Sequence, residues 1–322
     1  MEPIEIVRNG ILSPVVLAFA LGIVAHLVRS DLRFPDQIYA AMSIYLLFAI
    51  GLKGGAALAG ASFAQVFGAM AAGVGLGLAI PVWSFAILTR LGRFDAVNAA
   101  AIAAHYGSVS AVTFIAAVAY VQAIGSPAEG FMPAVLAAME VPAIVVALML
   151  ARTGATQGGG WRAALPEVLA GKSIVLLVGG LAIGLLVGPT GLRTVAPFFV
   201  DPYQGVLCLF LLDMGMVAAR RMSEFRNVGR FLAAFAIVLP VLHGALGVWL
   251  GHAVGLGAGG STVLGVLAAS ASYIAAPAAV RVALPEANPG LYLTASLAIT
   301  FPFNLVVGLP LYAAFARRLA EG

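Results

Sequence analysis

Gly107-Ser108-Val109-Ser110-Ala111-Val112-Thr113 and Ala269-Ser270-Ala271-Ser272-Tyr273-Ile274-Ala275-Ala276-Pro277 are polar, serine-bearing stretches inside apolar runs, at matching places in the two halves of the chain. In a bilayer, backbone leaves the helix only where protein or a water-lined cavity satisfies its N–H and C=O groups. A paired interruption of this kind points to the binding site of a secondary transporter. Gly107 favours a break in the first stretch; Pro277, which lacks a backbone donor, favours one in the second.

Composition places the chain in lipid. Of its 322 residues 62% are hydrophobic and 9% charged, with a mean hydropathy of +1.06, whereas a soluble domain carries roughly 25% charged residues. The 38 glycines predict close helix packing, because lipid supplies little hydrophobic drive between helices and small residues let backbones approach. The net charge is +4, but the basic residues are scattered between apolar runs without a dense or aromatic-interleaved patch, so no nucleic-acid partner is predicted. The single cysteine, Cys208, excludes an intrachain disulfide and a cysteine-based metal cluster, and His26, His105, His243 and His252 lack ligand spacing. Glu2 and Glu5 at the N-terminus do not resemble the basic region of a removed signal peptide, so the first span is predicted to stay.

Ten runs are long enough, or nearly so, to cross a bilayer: Ile11–Val28, Gln37–Leu52, Phe63–Leu88, Ala96–Ala123, Phe131–Ala151, Ser173–Gly188, Pro202–Ala219, Phe231–Val254, Thr262–Val282 and Leu291–Ala316. Arg29, Arg33, Arg90, Arg93, Arg152, Arg162, Lys172, Arg220, Arg221, Arg226 and Arg230 fall in the odd-numbered loops, and Arg281 at the edge of the last of them. The positive-inside rule then puts those loops in the cytoplasm and both termini outside, in the cell's inner (plasma) membrane. A polar linker over 152–172 separates two sets of five spans, 1–151 and 173–322. With an odd number per half, the second set enters the membrane the opposite way up. The predicted fold is an all-α integral membrane protein, ten transmembrane helices in a five-plus-five inverted repeat, with interrupted fourth and ninth helices crossing near the midplane. Three ordered matches support the repeat: Ser108-Val109-Ser110 with Ser270-Ala271-Ser272, Glu140-Val141-Pro142 with Thr300-Phe301-Pro302, and Ile50-Gly51-Leu52 with Met214-Gly215-Met216.

Where a serine stretch opens a half-helix, free N–H groups and the positive end of the dipole face the gap, and two such ends make a site for a small anion. Gly107, Ser108, Ser110, Thr113, Ser270, Ser272 and Tyr273 are the candidate substrate-binding residues. Lone serines bond back to their own helix and mean less. Glu140 and Asp213 are carboxylates deep within spans, and Lys53 sits at a span end in Gly51-Leu52-Lys53-Gly54-Gly55; intramembrane ionisable groups face polar cavities or one another, so these three are candidates for ion binding or charge coupling. Snorkelling would serve Lys53 equally, and a structural hydrogen bond either acid. His105 and His243 read as packed histidines bonded to carbonyls, or as proton carriers. No GxSxG or metal motif is present, and a symmetric serine pair is not what one catalytic nucleophile requires, so no enzyme is predicted.

At these residues the chain resembles the sodium-dependent bicarbonate transporters of the SbtA type, over nearly its whole length. The resemblance is carried by Ile50-Gly51-Leu52-x-Gly54-Gly55, Gly107-x-Val109-Ser110-x-x-Thr113, Pro142-Ala143 after Glu140, Met214-Gly215-Met216, His243-Gly244, Ala268-Ala269-Ser270-x-Ser272, and Arg281 leading to Pro285-x-Ala287-Asn288-Pro289. It implies core and gate regions, elevator-like movement, a homo-oligomer that is often a trimer, a small anion held between two interrupted helices with Na+ nearby, and in some members a PII-like cytoplasmic regulator. The chain departs from the cyanobacterial pattern at the ion site. Tyr273 stands where those members carry an aspartate, Ala271 and Ala275 replace hydroxyl residues, Ala111 and Val112 replace Gly-Ser, Val217 replaces a glutamate, Lys53 a threonine, and Asp213 an apolar residue. Sodium beside an anion offsets charge where the dielectric is low, so a fixed ammonium on Lys53, set against Glu140 or Asp213, is expected to take over part of that task. The sequence leaves open a carrier of another organic anion on the same plan, and a membrane sensor that binds ligand without moving it.

Overall fold

Backbone polar groups in lipid must be satisfied within the protein, and the chain does this with helices; a computed structural model describes residues 14–151, 165–166, 168–221 and 229–321, and these contain no strand. The helices are α1 (Pro14–Leu27), α2 (Asp36–Leu58), α3 (Phe63–Arg90), α4 (Ala96–Gly107), α5 (Ala111–Ala123), α6 (Met132–Ala151), α7 (Lys172–Phe199), α8 (Tyr203–Arg221), α9 (Gly229–Ala253), α10 (Ala258–Ala269) and α11 (Ala275–Ala283). A last helix, α12 (Pro289–Glu321), contains π-helical turns over Thr294–Thr300 and Asn304–Gly308. Eight segments among the described residues are long and apolar enough to cross a membrane, α4 and α5 counting as one, so this is a multi-pass membrane protein. The shorter apolar helices α1 and α10 stand where the first and ninth runs were predicted. Most of the 152–172 linker, with Arg152 and Arg162, and the Arg226 loop lie outside the described residues.

One predicted run comes out longer, and the chain goes on as helix past the predicted end of another. The second run, expected to stop at Leu52, continues to Leu58. Its glycines serve close packing within the helix: a Cβ on Gly54 would lie 2.6 Å from the Pro133 ring, and one on Gly55 would collide with Leu181 O. Lys53 is therefore inside a helix rather than at its end. The sixth run, expected to stop at Gly188, does break there, at φ 62° and ψ −171°, a conformation open to glycine. Beyond the kink the chain turns back along α2. Before Gly188, Leu181 and Leu185 lie against Gly55; after it, Phe199 meets the rings of Phe48 and Tyr45, and the Tyr45 hydroxyl donates to Phe198 O (2.5 Å).

Glycine contacts join the helices in two matched pairs. A Cβ on Gly22 of α1 would lie 3.0 Å from the Cα of Gly215 in α8, and one on Gly51 of α2 would lie 3.1 Å from the Cα of Gly180 in α7. In each pair, each glycine also faces the carbonyl three residues before its partner: Leu212 and Phe19 in the first, Leu177 and Phe48 in the second. Backbones meet this closely only without side chains between them. Elsewhere Gly247 of α9 faces Gly265 of α10, and Gly107, closing α4, packs against Pro81 of α3, 2.6 Å from where its Cβ would be.

Candidate functional site

The two serine stretches lie outside helix and against each other. Residues 108–110 separate α4 from α5, and residues 270–274 separate α10 from α11. The Ser110 N–H donates to Ser270 Oγ (2.9 Å), and the Ser272 N–H donates to His105 O, in the last turn of α4 (2.8 Å). The second stretch thus supplies an acceptor for a backbone donor of the first, and the end of α4 supplies one for the second, as buried backbone requires. Both stretches also start the next helix. Ser110 Oγ caps α5 by accepting from Thr113 N (3.2 Å) and from Thr113 Oγ1 (2.9 Å), and Ser272 Oγ accepts from Ala276 N (3.2 Å) in α11. The ends of α4 and α10 and the beginnings of α5 and α11 meet at one crossing.

The remaining hydroxyls close the helix ends around it. Ser108 Oγ donates to Glu140 O (3.1 Å) and Ser270 Oγ to Leu267 O (2.9 Å). Tyr273 puts its ring edge-on to Phe301 (5.3 Å between centroids), which meets Phe19 in turn (5.6 Å). The Tyr273 hydroxyl is buried beside Ser110. Ser108, Ser110, Thr113, Ser270 and Ser272 are each no more than 4% exposed, so the crossing is closed.

Lys53, Glu140 and Asp213 do not come together. The Lys53 ammonium sits 4.9 Å over the ring of Tyr203, at the start of α8. Glu140, buried in α6, accepts from Ser173 Oγ (2.9 Å) through Oε1, while its Oε2 has no partner among the described residues. Asp213 is buried in α8, one turn beyond Phe210, on which Tyr39 stacks. Among the described residues no ion pair links Lys53 to either acid, and Lys53 lines a cavity to which no serine of the crossing contributes. The Lys53 ammonium is thus directed to Tyr203 and this cavity.

Sequence reasoning missed residues that hold the crossing from α12. Asn304 Nδ2 donates to Ala269 O (2.8 Å), an α10 carbonyl left open where that helix ends. Pro240 has no N–H to give Ala236 O, and Thr300 Oγ1 donates to that carbonyl instead (2.7 Å). Its proton so used, Thr300 accepts from Tyr106 O–H (2.7 Å), which ties α9 and α12 to α4. A lone asparagine in an apolar run and a proline in α9 were the available signals. Both histidines are buried, but only His105 has the expected carbonyl partner: its Nδ1 bonds Ala101 O (2.6 Å), whereas His243 Nε2 accepts from Trp83 Nε1–H (2.7 Å).

Of two cavities among the described residues, only the second borders the crossing, through Ile274. One, of about 610 Å³, lies among α2, the end of α5, the start of α6, the returning arm of α7 and the start of α8. The other, of about 600 Å³, is bordered by Pro166, Lys172, Ser173, Ile274 and Ala278. No group of three or more His, Cys, Asp or Glu side chains suited to a metal ion occurs among the described residues.

Residues 14–317 match the family model described as the Na+-dependent bicarbonate transporter superfamily. No curated protein matches the chain.

Proposed function

The chain belongs to the Na+-dependent bicarbonate transporter superfamily, and from that premise we propose that it is a secondary active transporter of bicarbonate or a related small anion, coupled to sodium and working by elevator-type alternating access. Membership of a transporter family sets it apart from enzymes. The observation that carries the reading is the crossing itself. Two non-helical stretches touch through Ser110 N–H and Ser270 Oγ, and α5 and α11 begin within it. Helix N-termini offer donors and positive potential to an anion. Ser108, Ser110, Thr113, Ser270 and Ser272, with Gly107 and Tyr273, line the proposed site.

Sodium coupling follows from charge. With Lys53 elsewhere, the residues of the crossing include no fixed cation, and an anion brought into a low-dielectric site needs an opposite charge. Tyr273 offers no carboxylate, so hydroxyls and the carbonyls freed at the helix ends would serve the ion, oxygen donors suited to a hard cation.

The matched glycine pairs support the five-plus-five inverted repeat with interrupted fourth and ninth helices. If α1 corresponds to α7 and α2 to α8, the packing of α1 on α8 must be repeated by α7 on α2, with carbonyl contacts at the same offset. Gly22 with Gly215 and Gly180 with Gly51 have that relation. These four helices form the proposed scaffold against which the crossing moves. The positive-inside distribution supports both termini outside, and the family resemblance supports a trimer.

Uptake of bicarbonate into vesicles containing the purified protein, with and without an inward sodium gradient, tests the coupling; a rate indifferent to sodium refutes it. Ser110→Ala and Ser272→Ala are expected to weaken uptake more than Ser43→Ala. Equal tolerance at all three positions overturns the placement of the site.

A further inference from the structure

The cavity of about 610 Å³ is much larger than bicarbonate needs, and its wall is mostly apolar, with Ile50, Ala57, Val118, Met132 and Leu192 among the lining residues. It also holds two cations, Lys53 and Arg193. Lys53 is half-buried inside α2, and Arg193 is exposed on the returning arm of α7. Among the described residues neither forms an ion pair. The contact of Lys53 with the Tyr203 ring orients the ammonium without neutralising it. Glu129 also lines the cavity, but its Oε1 is taken by the Gly257 N–H (2.7 Å), at the beginning of α10. That bond directs the carboxylate to a helix N-terminus, where the backbone partly offsets its charge.

A half-buried ammonium without a counter-ion, set in an apolar wall, is complementary to a carboxylate carrying an apolar body. We propose that this cavity is a second ligand site, separate from the crossing, which binds an organic monocarboxylate with a short aliphatic chain, its carboxylate held by Lys53 and Arg193. The walls come from both the proposed scaffold (α2, α7, α8) and the crossing group (α5, α6). A bound carboxylate therefore bridges parts that elevator movement must shift, and it inhibits uptake.

Calorimetric titration of the purified full-length protein in detergent with hexanoate, acetate and hexanol tests the site. Hexanoate is expected to bind at least tenfold more tightly than acetate, since each fully buried methylene contributes up to about fourfold, and at least tenfold more tightly than hexanol. Lys53→Met and Arg193→Gln are each expected to weaken hexanoate at least fivefold, Lys53→Arg to retain most of the affinity, and Ser110→Ala to leave it unchanged. Equal binding of acetate and hexanoate, equal binding of hexanol, or full affinity in both charge-removing variants overturns the proposal. Arg193 is exposed, so its variant reports even where Lys53→Met fails to fold. The readout is binding, so this site can fail while the transport reading stands, and the reverse.

Discussion

Replacing Ser270 by Ala removes one oxygen with two partners, and the two losses are unequal. Leu267 O still accepts from the Ser270 N–H (3.2 Å), so the lost Oγ donor leaves that carbonyl satisfied. The Ser110 N–H has no such reserve. Its partner is Ser270 Oγ, in a residue 1% exposed, so it would be left buried without an acceptor. An orphaned buried donor costs about 1–3 kcal/mol, which is a factor of about 5 to 150 in the population of the closed crossing. Ser110→Ala removes the α5 cap instead, worth about 1 kcal/mol. Thermal unfolding in detergent and initial bicarbonate uptake in vesicles measure the two consequences. Ser270→Ala is expected to melt below the parent protein and, where transport passes through the closed crossing, to lose at least about fivefold in rate. Parent-like melting together with parent-like uptake would refute the argument that the second stretch completes the first.

Gly184→Ala and Gly179→Ala lie on the same helix and are expected to differ in sign. A Cβ on Gly184 would collide with Leu52 O and lie 2.9 Å from Ala56 N, whereas one on Gly179 meets nothing within 4 Å. Overpacking of about 1–3 kcal/mol outweighs the helix gain of up to about 1 kcal/mol from removing a glycine, so the first variant melts lower and the second at or above the parent. A Gly184→Ala protein as stable as the parent would remove the close α2–α7 contact. At the exposed start of α4, partial burial pushes the Asp95 carboxyl up, but hydrogen bonds from Asn98, backbone and side chain, and from the Asp95 and Val97 N–H groups outweigh it and hold the group below the usual carboxylate range. A group whose folded value is lowered stabilises above its unfolded pKa, about 3.9, and loses that contribution as pH falls through the folded value. The melting difference between the parent and Asp95→Ala is therefore expected at pH 7 and should shrink below about pH 4; a gap that widens in acid reverses the sign.

Residue chemistry along the chain was enough to place it in lipid, to mark Ala96–Ala123 as one apolar run, and to locate the non-helical serines within it, because a bilayer penalises unpaired backbone wherever it occurs. The same reasoning marked Gly188 as a stopping point, since hydropathy falls where glycine and proline interrupt the run. It did not show that the chain then doubles back along α2, because the returning arm is apolar too and only its aromatic contacts with Tyr45 and Phe48 set its direction.

Lys53 shows the division most clearly. Its type and depth marked it as functional, but an ammonium on an apolar helix carries no address for its partner. Helix packing decides that, and it turned Lys53 to Tyr203 and the cavity rather than to Glu140 or Asp213. Asn304 and Thr300 likewise gained their roles from distant carbonyls, those of Ala269 and Ala236, opened by a helix end and a proline on other helices. Local polarity and backbone rules act within a few residues and are legible along the chain; which donor finds which acceptor across the bundle is a property of how the helices stack.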